Sequence, residues 1–207
     1  MKKLTPHLFN STTGRKECNE FLAMLTSKPT LSEQKDILPF FKSRKDLSLL
    51  ICNYFPRLRL ADRFAHEYEI YGDFIADLIV GDSSTKHYLL IEFEDGRPDS
   101  IFKRKGKKAT LDWAPRFESA HSQLTDWLWK LEDMRSTAHF QSTFGDRRAT
   151  FQGLIVIGKG MNLSDQELDR LSWRTSRTKI DSNAVECISF EELHGDLDHW
   201  LKTYHQV

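Results

Sequence analysis

Three carboxylates stand where carboxylates are costly. Asp77 lies inside the run FIADLIV, and Glu92 and Glu94 lie in YLLIEFE. Aspartate is a poor strand former. An ionised acid among apolar side chains is destabilising unless it is paired or binds a metal. Both runs have the length and the apolar, β-branched content of strands. Strand side chains alternate with period two, so Tyr88, Leu90, Glu92 and Glu94 share one face. By the same count Asp77 shares a face with Ile75 and Ile79. If the two strands are neighbours, three carboxylates meet. Such a group suits Mg²⁺ or Mn²⁺, hard cations that take oxygen ligands and keep part of their water. In catalysis that ion lowers the pKa of a bound water and neutralises charge developing on a phosphodiester. The competing arrangement is structural, with the acids paired to buried bases or facing water at strand ends. Residue types and spacing leave the two readings level.

Gln123 borders the apolar stripe of a helix and is placed either to reach into that cleft or to face solvent; its spacing favours solvent. Residues 97–108, RPDSIFKRKGKK, carry six basic side chains against one acid, with Gly106 among them. They read as a solvated loop. Its Lys103, Lys105, Lys107 and Lys108 are equally placed to hold DNA phosphates. Trp113, Trp127 and Trp129 read as core and helix-face aromatics before base-stacking groups. The eight histidines show no HExxH spacing, and no Walker loop, GxGxxG or GxSxG occurs. This argues against a zinc protease, an NTPase, a dinucleotide enzyme and an α/β-hydrolase.

Elements able to position these groups follow from periodicity. Residues 1–13 are polar and read as loosely held. Helical spacing marks 15–26. A second helix, capped by Ser32, carries Ile37, Leu38 and Phe41, and a third, started by Ser43, is ended by Pro56. Alternating or apolar runs at 67–71, 74–80 and 88–93, separated by turn residues, predict an antiparallel meander. A long helix is predicted over 116–140, with Phe117, Ala120, Leu124, Trp127, Leu128 and Leu131 as its stripe. A strand at 154–157, a helix capped by Ser164 and Glu167, a strand at 185–190 and a helix at 191–204 complete the chain. The order predicts an α/β fold with a mixed central sheet flanked by helices. It divides into an N-terminal helical extension over 1–60 and an α/β domain over 61–207.

The 207 residues suffice for a substantial core, and 39% hydrophobic with 29% charged residues is ordinary globular composition. Lys plus Arg equals Asp plus Glu at 30 each, so any pull on nucleic acid must come from local patches. Cys18, Cys52 and Cys187 form no CxxC pair, which predicts reduced thiols and a cytoplasmic protein. No apolar h-region follows the initial MKK. No apolar run approaches the roughly 20 residues of a membrane span, so no membrane association is expected.

Three blocks in order, GDFIADLIV, LLIEFED and RFESAHSQLTDWLWKLED, resemble the nuclease domain of the Shedu anti-phage defence proteins. That domain belongs to the PD-(D/E)XK nuclease superfamily. The resemblance covers residues 68–133, with the later elements compatible. It implies a restriction-endonuclease-like fold, a Mg²⁺- (or Mn²⁺-) dependent DNA endonuclease, DNA as partner and a homo-oligomer. It implies that Asp77 and Glu92 hold the metal and that Gln123 is the helix glutamine found near the active site in many relatives. Glu94 stands where lysine is usual. It would act there as base or ligand, Lys103 or Lys105 would supply the missing amine, or activity would be weakened. The expected catalytic set is Asp77, Glu92, Glu94 and Gln123. The alternative is a degenerate nuclease-fold module that binds DNA or a protein partner without cutting.

Overall fold

A computed structural model describes residues 3–180 and 183–207. Its centre is a six-stranded sheet built from β1 (Thr5–Pro6), β2 (Arg63–Ile70), β3 (Phe74–Asp82), β4 (His87–Phe93), β7 (Thr150–Val156) and β10 (Glu186–Ile188), adjacent in that order. The short pairs β5 (Phe102–Lys103) with β6 (Asp112–Trp113) and β8 (Lys179–Ile180) with β9 (Asn183–Ala184) lie outside it. The first four strands are antiparallel, whereas β4, β7 and β10 run parallel. The change falls at β4 because the β2–β3–β4 turns are short, while the chain from β4 to β7 passes through a helix. The mixed α/β sheet expected from the pattern is therefore present.

Alternation along the strands sorts the core into two layers. Leu78, Val80, Leu89, Ile91 and Phe93 face α1 (Ser11–Ser27), α2 (Leu38–Lys42), α3 (Lys45–Leu50) and α7 (Phe190–His205). Ile79, Tyr88, Leu90 and Ile155 face α4 (Pro115–Met134) and α5 (Ala138–Phe144). The remaining helix, α6 (Asp165–Arg177), buries no residue fully. No helix among the described residues is long and apolar enough to cross a membrane.

Several boundaries differ from the sequence pattern, each for a local reason. Within residues 3–13 the chain is held, with Thr5–Pro6 pairing β2 and Asn10 capping α1; Met1 and Lys2 lie outside the described residues. Asp46 anchors this segment by accepting from the Asn10 N–H at 2.7 Å and pairing with His7. Ser43 ends α2 instead of starting α3, because its hydroxyl donates back to the Pro39 and Phe40 carbonyls. The helix predicted over 116–140 breaks after Met134. Thr137 caps a second helix there, which turns Phe140 and Phe144 onto Tyr88 and Phe151. The basic stretch supplies one strand, β5, of the small hairpin β5–β6, in which Phe102 stacks on Trp113 at 4.5 Å. The strand predicted over 185–190 is shorter, since Ser189 leaves it to form a capping box with Glu192.

The approach of α4 to the sheet depends on Gly153 of β7. A Cβ there would meet Leu124 Cδ1 at 2.9 Å. Gly153→Val should therefore push α4 outward and cost about 1–3 kcal/mol, the scale of overpacking. Urea denaturation measures it, and an unchanged midpoint would mean that α4 does not rest on this residue.

Candidate active site

The β3–β4 ladder stops just before the acids. The paired register ends at Leu78 and Ile91, so Asp77 and Glu92 are not a backbone pair. The Phe93 N–H instead donates to Asp77 Oδ2 at 2.8 Å. Alternation in β3 also slips here, since Ala76 and Ile79, three residues apart, both enter the α4 layer. Ile75 is consequently 59% exposed and is not the buried same-face neighbour that period two predicts. On the facing strand Glu67 takes a left-handed φ of 46°. The sheet thus opens locally at Asp77, and the gap is filled by carboxyl groups.

The Asp77 and Glu92 side chains meet there, close enough for each to bear on the other's protonation. Glu92 is 5% exposed and Asp77 is partly buried. Burial is the main cause that raises both acids above the usual carboxylate range, and each is raised further by its acidic neighbours. The charge of Asp77 adds to the rise of Glu92. Gln123 turns inward from α4 and donates through Nε2 to Glu92 Oε1 at 2.7 Å. Asp77, Glu92 and Gln123 are therefore brought together, and the solvent-facing position favoured for Gln123 by its spacing is not the one adopted.

Glu94 takes a different partner. It follows β4 on the same face and is 4% exposed, yet its Oε2 accepts from Arg116 Nη1 at 2.8 Å. Burial raises the Glu94 carboxyl and the guanidinium pulls it back down. Arg116 also reaches Asp95 at 3.2 Å and Glu33 at 3.8 Å. Glu33 is brought in by the N-terminal segment. Leu31 and Gly96 exchange backbone hydrogen bonds of 2.9 Å, and the Glu33 N–H donates to Asp95 Oδ1 at 2.9 Å. Glu33 then raises Asp77, Glu92 and Glu94 electrostatically.

Arg116 and Glu33 were not singled out by the sequence. Arg116 had a legible signal, because it lies seven residues before Gln123, two helical turns along one face of α4. Glu33 had none, since its place depends on pairing with Gly96, 65 residues away from Leu31. The basic loop divides. Lys103 lines an open cleft of about 370 Å³ beside Glu94 and Arg116, whereas Lys105, Lys107 and Lys108 are exposed on the hairpin beyond it. Trp127 is buried, and Trp113 is sandwiched between Phe102 and Phe117 with Arg170 and Arg174 over it. Only Trp129 of the three is exposed.

Among the described residues, no three His, Cys, Asp or Glu side chains gather closely enough to hold a metal by themselves. Mg²⁺ does not require such a cage, since one or two carboxylates with water and substrate oxygens suffice. The Asp77–Glu92 pair fits that donor set. Two adjacent acids, both raised by burial, form a place where added positive charge is stabilising.

The family described as Shedu protein SduA, C-terminal, matches residues 30–194. The chain belongs to this family. No curated protein matches it. The Shedu match contains Glu33, Asp77, Glu92, Glu94, Arg116 and Gln123, hence every side chain of the site. It leaves out all of α1 and most of α7, which pack against each other through Arg15 and Asp198.

Two outcomes follow for stability. A carboxyl raised by folding contributes stability below its unfolded pKa, and that contribution is lost as pH rises through its folded value. The metal-free protein should therefore weaken as pH rises above about 4, the unfolded carboxyl value. Glu92→Gln, which keeps an oxygen to accept from Gln123, should raise Tm at pH 8 and flatten this dependence. The gain should be about 1 kcal/mol or more, since one pKa unit is worth about 1.4 kcal/mol. A Tm at pH 8 no higher than that of the unaltered chain would contradict a strained pair. Arg116→Met should cost about 1–3 kcal/mol by leaving Glu94 buried without its partner. Adding Glu94→Gln should recover most of that loss, and additive losses in the double variant would deny the coupling.

Proposed function

We propose that this chain is a divalent-metal-dependent DNA nuclease of PD-(D/E)XK type that acts in anti-phage defence. The observation that carries the reading is the buried Asp77–Glu92 carboxyl pair, held by the Phe93 N–H on one side and Gln123 on the other. Membership of the Shedu family supports the defence role. Nothing else in the fold explains why two acids are desolvated against one another.

Asp77 and Glu92 would hold the ion, Mg²⁺ or Mn²⁺. When bound, the ion supplies a water of lowered pKa and stabilises charge on the phosphodiester. Gln123 fixes the orientation of Glu92 by donating to one oxygen, which leaves the other free for a cation. Glu94, in the position where lysine is usual, orients or deprotonates the attacking water once Arg116 shifts its hydrogen bond to substrate. Arg116 is the nearest cation to that position and takes the place expected of Lys103 or Lys105. A homo-oligomer is part of the same proposal, as a second active site would allow both strands of a duplex to be cut.

One observation favours a second reading. Glu94 is already ion-paired, so a chain that has lost the lysine and neutralised its substitute could bind DNA without cutting it.

A plasmid-nicking assay separates the two. Nicking is expected with Mg²⁺ or Mn²⁺, to vanish with EDTA and in Asp77→Asn, and to fall about 10-fold or more in Glu94→Gln, the scale of a lost general base. EDTA-insensitive binding without any nicking would establish the binding module instead.

A further inference from the structure

The surroundings of the carboxyl pair are electrically lopsided. On the Glu94 side lies the cleft of about 370 Å³, whose lining includes Arg97, Lys103, Arg116, Ser100 and Ser119, with Asp99 at its rim. On the Gln123 side lies a second cleft, lined by Glu67, Glu69 and Asp73 with Phe74, Ile75 and Trp127, where Lys42 pairs with Glu67 at 2.7 Å and Lys130 with Asp73 at 2.6 Å. Arg116 and Gln123 mark the two sides from one helix, about 10 Å apart along its axis at 1.5 Å per residue.

We propose that the Arg97–Lys103–Arg116 cleft is a phosphate subsite that seats the nucleic-acid backbone beside the carboxyl pair. The subsite names where the substrate lies and so rests on the nuclease reading. Arg97 and Lys103 are exposed, and neither side chain makes an ion pair among the described residues. Two free cations over one concavity are what phosphate recognition needs, since each can displace a counterion. Arg116 differs, because in the free protein Glu94 and Asp95 already match its charge. Ser119 lies one turn along α4 from Arg116 and adds a hydroxyl donor to the same wall. The backbone holding the cleft is rigid. Ser100 is buried and donates to the Asp95 carbonyl at 2.8 Å, and the Ala114 N–H donates to the Ile101 carbonyl at 2.8 Å. The opposite cleft offers no such pair of free cations, because the lysines beside it are matched by Glu67 and Asp73.

The test is equilibrium binding of a fluorescent 20-base-pair duplex in EDTA at several salt concentrations. Arg97→Gln with Lys103→Gln should weaken binding and reduce the log–log salt slope by about 1.8, from about 0.9 per phosphate contact. The loss should be equal for unrelated sequences, because phosphate contacts carry no base information. Lys16→Gln with Lys45→Gln, equal in charge but on the helical layer of the opposite sheet face, should leave the slope unchanged. An unchanged slope in the Arg97/Lys103 variant, or equal losses in both variants, overturns the subsite. So does an unaltered chain that binds no duplex. If EDTA-sensitive nicking persists in any of these cases, the subsite fails and the nuclease reading stands. Competition by dAMP separates the source of the phosphate. A mononucleotide that displaces the duplex at comparable concentration would make the cleft a nucleotide pocket and overturn the backbone track.

Discussion

Two carboxyl groups are forced together out of water, and much of the architecture exists to hold them there. An acid alone in an apolar layer would leave it or pull water in. Here β3 and β4 bring Asp77 and Glu92 to one point, and hydrogen bonds from the Phe93 N–H and Gln123 satisfy one oxygen of each. The arrangement is costly, and costs of this kind are characteristic of functional sites, where stability is exchanged for a prepared environment.

The elements around the pair act as clamps. Helix α4 crosses the strands close enough for Gln123 to reach Glu92, because Gly153 has no side chain to lift it. The N-terminal segment does more than cover a sheet face. Its Leu31–Gly96 bridge carries Glu33 to the rim, where it adds negative charge to a site already short of positive charge. Arg116 balances part of that charge by touching Glu94, Asp95 and Glu33 at once. Removal of Arg116 should therefore be felt by every acid of the group.

Much of this was legible in the residues. Asp77 and Glu92 stood out because strands rarely carry such acids, and period two placed Glu92 and Glu94 on one face. The helix–strand order gave the mixed sheet because turn residues and apolar runs are local signals. What failed was non-local. The slip in alternation at Asp77 depends on Glu67 of the facing strand, so period two misplaced Ile75. The partner of Glu94 was hidden for the same reason, because its bond to Arg116 is a matter of helix placement that spacing along β4 cannot express. The break after Met134 was hidden because Phe140 continues a helical pattern while Thr137 restarts it.

Calorimetric titration of the protein with Mn²⁺ at pH 8, in two buffers of different ionisation enthalpy, tests the central claim most directly. If the raised carboxyl pair marks a cation site, one ion should bind per chain and release a proton into the buffer, because a ligating carboxylate must be deprotonated. The apparent enthalpy will then differ between the buffers, and Asp77→Asn will abolish the binding. Absence of Mn²⁺ binding by the unaltered chain, or binding that Asp77→Asn leaves intact, would contradict the account.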